Sequence, residues 1–148
     1  MRSDEAAIGG STVATLAGRI DAVLSTRLQD TFKWTLITIG ANDVLSLPAE
    51  AAWNANLAYV LDAIHTWRPN VRVGVSLPWR RGYAAECNTL AGRIATVVTA
   101  RGWAFIGPDE RVLIEAGNDG ATYTYDGVHW TASGESLMAS AWLRSMGY

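Results

Sequence analysis

Cysteine and histidine are scarce in this chain. A lone cysteine, Cys87, excludes an intrachain disulfide. One Cys with two His, His65 and His129, cannot build a standard zinc site without recruiting several carboxylates. Charge is sparse as well. Only 18% of residues are charged, below the roughly 25% of an ordinary globular chain. The net charge is -2, and no five like charges run together. Neither nucleic acid nor an anionic membrane therefore has an electrostatic reason to bind. Apolar runs fall well short of the roughly 20 residues that cross a bilayer. The first ten residues lack the apolar stretch of a signal peptide. As given, the chain is expected in the cytoplasm, an expectation that a missing upstream export segment would change.

What is present suits one α/β domain over residues 1–148. The chain is 49% hydrophobic, enough for a substantial core, and its length fits one domain better than two. Helical and strand patterns alternate, which favours parallel strands. Ser11 or Thr12 can cap a helix reaching about residue 29, whose apolar positions Val13, Leu16, Ile20, Val23, Leu24 and Leu28 keep a period near 3.6. A strand over 34–39 follows and ends at Gly40. Pro48 suits the first turn of a second helix, to about residue 66. A second strand is expected over 71–77 and a third helix over about 84–101, with Gly102 closing it. A short third strand over 103–106 precedes an irregular stretch, 107–130, and a last helix over about 132–145. Ligand sites in open α/β sheets gather at the carboxyl ends of strands, which draws attention to residues 40–43 and 76–79.

Two short segments carry the chemistry. Asp126 and His129 are three apart, a spacing at which the carboxylate can accept the imidazole Nδ1–H and leave Nε2 free as a base. An Asp-Gly turn beside a histidine is also common without function. Asn42, just past the first strand, can offer its amide to an oxyanion or simply brace its own turn. Asp43 is read as a loop-stabilising carboxylate. Gly9-Gly10-Ser11-Thr12 opens the first helix, where backbone N–H groups can face an anion; it is equally ordinary loop material. His65 is read as a surface or packing residue, and Cys87 as packing. Trp79 and Trp130 flank the candidate site and can form an apolar wall.

Ile39-Gly40-Ala41-Asn42-Asp43 and Asp126-Gly127-Val128-His129-Trp130-Thr131-Ala132-Ser133-Gly134 resemble two signature blocks of the SGNH (GDSL-like) hydrolases. Gly9-Gly10-Ser11-Thr12 is loosely similar to the glycine block of that family. Leu77-Pro78 and Asn88-Thr89-Leu90 are similar to its fourth strand and following helix. The resemblance implies a three-layer α/β sandwich with a flavodoxin-like parallel sheet. It also implies hydrolysis of small acyl esters through an acyl-serine, with His129 as base, Asp126 as its orienter, and Asn42 and Gly10 at the oxyanion hole. No cofactor and no metal are implied.

The Gly-Asp-Ser segment that carries the family's nucleophile is not in the chain. Ser3 lacks the strand and glycine turn of that context. Ser11, Ser46, Ser76 and Ser133 are candidates by position, and Ser11 is closest to the glycine block. The domain is therefore expected to be truncated at its N-terminus relative to the family. The family's missing first strand would lie beside strand 34–39, leaving an apolar edge that recruits a partner strand. Dimerisation or strand swapping through that edge is expected, or pairing by residues 1–8. Three readings follow: an esterase with an unassigned nucleophile, a non-catalytic binding or assembly remnant of an SGNH hydrolase, and an unrelated flavodoxin-like domain.

Overall fold

The computed structural model describes residues 9–26, 33–115 and 122–148. Its centre is a parallel sheet in the order β1 (Trp34–Ile37), β2 (Arg72–Leu77), β3 (Ala104–Asp109). Around it lie α1 (Val13–Ala17), α2 (Ile20–Ser25), α3 (Glu50–Trp67), α4 (Ala84–Thr99), α5 (Glu110–Glu115) and α6 (Ala132–Ser145), with a 3-10 turn over Asp43–Ser46. No helix among the described residues is long and apolar enough to cross a membrane.

β2 is buried on both faces because each face carries its own helical layer. Side chains alternate along a strand. Val73 and Val75 enter the main core with Trp53, Leu57 and Leu61 of α3 and Leu90 and Ile94 of α4. Gly74 lies on the opposite face, where the rings of Phe105 and Trp142 cross it in an edge-to-face pair 6.4 Å apart. A Cβ at residue 74 would sit 2.5 Å from Phe105 Cζ, so the strand accepts only hydrogen there. This sandwich matches the three-layer parallel architecture that the sequence implies.

The elements differ from the sequence expectation in five places. The first helix is not continuous. It closes at Gly18, whose N–H reaches the Ala14 carbonyl at 3.0 Å, and restarts at Ile20. Glycine is a poor helix former, and the break still lets Val13 and Ile20 bury; the expected end near residue 29 lies outside the described residues. Pro48 does not open α3. Ala49 is the N-cap, and the Pro48 carbonyl instead accepts from Arg93 Nη1 at 2.9 Å. α4 ends at Thr99 with Ala100 as its cap, so Gly102 does not close it.

β3 runs on to Asp109 through Gly107 and Pro108. Val75 pairs with Ile106 and Leu77 with Asp109, so β3 carries one extra residue there. Proline, which lacks an N–H, is tolerated at such a bulge. α5 then begins at once inside the stretch expected to be irregular. Burial of Ile114 pins it to the sheet.

Candidate active site

The polypeptide leaves β1 and turns sharply at Gly40, whose φ of +109° suits glycine. The turn also brings Gly40 against Pro78, with a built Cβ only 3.0 Å from Pro78 Cγ. Asp43 then enters the interior and accepts from Val13 N–H at 3.1 Å and Trp53 Nε1 at 3.0 Å. Its carboxyl therefore ties the start of α1 to the turn after β1 and to α3. Desolvation raises its pKa, opposed by those hydrogen bonds. Asp43 is the loop-bracing carboxylate that the sequence suggests.

Asn42 is held at both ends of its amide. Nδ2 donates to the Ser11 carbonyl at 3.1 Å, and Oδ1 accepts from Arg80 Nη1 at 3.3 Å. The same Arg80 nitrogen donates to the Ala41 carbonyl at 3.0 Å. Gly10 lies beside Ser11 with φ +78° and open space where a side chain would be. The glycine block and the turn after β1 are thus adjacent, bridged by Asn42.

Asp126 and His129 form a tight local unit. His129 Nδ1 lies 2.6 Å from Asp126 Oδ2. An ionised carboxylate only accepts, so Nδ1 carries the proton and Nε2 is left as the basic nitrogen. Asp126 Oδ1 accepts from the backbone N–H groups of His129 at 2.8 Å and Val128 at 2.9 Å. The His129 amide, then its ring, and the Val128 amide hold the Asp126 carboxyl well below the usual carboxylate range. The loop closes through Tyr125 N–H on the His129 carbonyl and Thr131 N–H on the Tyr123 carbonyl. Thr131 then caps α6 by accepting from Gly134 N–H. The dyad is exposed, with side-chain accessibilities of 64% for His129 and 43% for Asp126, and Tyr125 stacks on the imidazole.

Two consecutive arginines join these halves. Arg80 holds Asn42 and Ala41, and the N–H of Arg81 donates to the Gly127 carbonyl at 3.0 Å. Gly127 has φ +89°, and a Cβ there would fall 2.7 Å from Arg81 Cβ. Sequence reading singled out neither arginine; the available signal was their position just past the carboxyl end of β2.

A second buried feature lies at the start of α5. Glu110 is buried, accepts from Ser76 Oγ at 2.7 Å and from the Trp79 N–H, and has its pKa pushed up to about 7, chiefly by burial. The sequence offers no signal for this pair, which depends on the β2–β3 register.

The serine candidates separate clearly. Ser76 is buried and committed to Glu110, which removes it as a nucleophile for His129. Ser11 Oγ is buried without a hydrogen-bond partner among the described residues, so it is not bonded to His129. Ser46 and Ser133 are exposed, and neither is hydrogen-bonded to His129. Ser3 lies outside the described residues. Cys87 is buried with its thiol pKa raised by desolvation, and His65 stacks on Trp103, both consistent with packing roles. Trp79 is buried rather than open to a substrate, and Trp130 packs over Gly134. Among the described residues, no group of three or more His, Cys, Asp and Glu side chains is placed to hold a metal ion.

Known structures share this fold. A family 3 carbohydrate esterase of Clostridium thermocellum matches with a TM-score of 0.68 and 23% identity over 93% of this chain and 65% of its own. One from Talaromyces cellulolyticus matches with a TM-score of 0.69 and 19% identity over 89% of this chain and 64% of its own. A mutant of the acetyl-xylooligosaccharide esterase Axe2, from Geobacillus, matches with a TM-score of 0.73 and 18% identity, over 94% and 69%. The chain therefore spans just under two thirds of the length of the first two structures. No curated protein matches it significantly. The model of the GDSL-like lipase/acylhydrolase family matches residues 2–137, and the chain belongs to that family.

Proposed function

We propose that the protein is a carboxylic ester hydrolase acting on small acyl esters through an acyl-enzyme. The observation that carries this reading is the Asp126–His129 dyad, whose carboxylate is fixed by two backbone N–H groups and whose Nε2 has no hydrogen-bond partner among the described residues. His129 takes the proton of an attacking hydroxyl, and Asp126 holds the tautomer and supports the imidazolium. The acyl carbonyl develops negative charge that the second Asn42 N–H and the Gly10 N–H stabilise. The alcohol leaves with the proton from His129, and water then releases the acid by the same route. The nucleophilic hydroxyl is unassigned. The name of the matched acetyl-xylooligosaccharide esterase supports an acetyl-sized acyl group.

Hydrolysis of an aryl acetate that is lost in His129→Ala is the expected result; turnover indifferent to that change excludes the proposed base. A second reading, a non-catalytic binding or assembly module, is favoured by one observation: no serine among the described residues hydrogen-bonds His129. The module reading predicts no covalent labelling by a serine-directed fluorophosphonate, whereas the hydrolase is labelled. β1 is an edge of the sheet among the described residues, which supports a homodimer or strand swap through it. Sedimentation as a monomer at all concentrations excludes that assembly.

A further inference from the structure

An amide side chain has two flipped states that differ only in where the oxygen and nitrogen point. At Asn42 the two neighbours select the same state. The Ser11 carbonyl needs a donor and faces Nδ2, while Arg80 Nη1 needs an acceptor and faces Oδ1. The flipped amide would set oxygen against oxygen at Ser11 and donor against donor at Arg80. With Nδ2 giving one hydrogen to Ser11, its other hydrogen has a fixed direction.

Arg80 is itself held firmly. Its N–H donates to the buried Cys87 thiol, its carbonyl accepts from Tyr83 N–H at 3.2 Å, and its guanidinium lies over the Tyr83 ring at 5.8 Å. Through one nitrogen it also fastens the Ala41 carbonyl. The next residue, Arg81, holds the Gly127 carbonyl between Asp126 and His129.

We infer that Arg80 is a positioning residue: it locks the orientation of the Asn42 amide and, through the adjoining Arg81 backbone, registers that amide against the Asp126–His129 loop. Its catalytic consequence rests on the proposed esterase reading, but the locking of Asn42 does not. Arg80 acts through Asn42 and does not itself touch the reacting atoms.

Two measurements on the full chain separate the two claims. The first is side-chain NMR of the Asn42 Nδ2 protons, which needs no turnover. Arg80→Ala should shift both resonances and speed their exchange with solvent by about tenfold or more, with Arg80→Lys intermediate. Unchanged resonances and exchange in a folded Arg80→Ala overturn the inference whether or not the protein is an esterase.

The second is a kinetic double-mutant cycle on an aryl acetate. Arg80→Ala should lower kcat by roughly 10- to 100-fold, short of the roughly 100- to 1,000-fold loss when an oxyanion donor is removed outright, with little change in KM. The same change in an Asn42→Ala background should cost nothing further. Full multiplicativity of the two losses overturns the coupling. If wild type shows no turnover, the esterase reading falls, and the NMR arm alone decides the role of Arg80. If Arg80→Ala fails to fold, the same two readouts on Arg80→Lys decide it, and wild-type values there overturn the role.

Discussion

Replacing Glu110 by Gln tests whether a neutral carboxyl is held at the start of α5 against Ser76 of β2. In the unfolded chain the proton leaves near the ordinary value of 4.5, whereas in the folded protein it is held to about 7. Between those values the folded state binds more protons, so stability falls as pH rises through this window and levels off above it. A shift of that size corresponds to roughly 3 kcal/mol, at about 1.4 kcal/mol per pH unit. The cause is burial; the hydrogen bonds from Ser76 and the Trp79 N–H only partly offset it. Glutamine cannot ionise, and its amide still offers an acceptor to this pair of donors. Glu110→Gln should therefore gain on wild type by up to about 3 kcal/mol between pH 5 and pH 8. In melting temperature this is on the order of 10 °C for a domain of this size. Asp43, which also has a raised pKa, is present in both proteins and cancels in the difference. The assay is urea denaturation at several pH values, with a constant buffer ionic strength. Stability curves for the two proteins that run parallel from pH 5 to pH 8 would refute the reasoning.

Asp126→Asn should reduce aryl-acetate turnover by up to roughly 10⁴-fold with little change in melting temperature. An asparagine amide that donates to Nδ1 would favour the wrong imidazole tautomer; kcat within a few-fold of wild type would show that the dyad does not act as a base. Asp43→Ala should destabilise the fold by about 3 kcal/mol, because the buried Val13 N–H and Trp53 Nε1 both lose their acceptor. Urea midpoints read this directly, and a change below about 0.5 kcal/mol would mean that water or another group replaces the carboxylate.

The local chemistry of the site is legible from spacing because it is made within a few residues. Asp126 and His129 meet across three residues, and Thr131 caps α6 within its own first turn. The presence of the three strands and the start and end of α6 also follow from apolar patterning and capping. α5 is hidden because it is short and follows β3 directly, with Gly107 and Pro108 reading as a loop.

Sequence alone thus determined the family, the parallel α/β plan and the identity of the acid–histidine pair, since each rests on short-range spacing or an ordered set of motifs. Tertiary structure decided the rest. The Arg80–Asn42 bond spans 38 residues and the Ser76–Glu110 bond spans 34. Such contacts depend on strand register and on where a loop lands, which residue type does not encode locally. The same packing commits Ser76 to Glu110 and leaves Ser11 Oγ buried with no hydrogen-bond partner among the described residues. A serine side chain is the same in either place; its neighbours determine whether it can react.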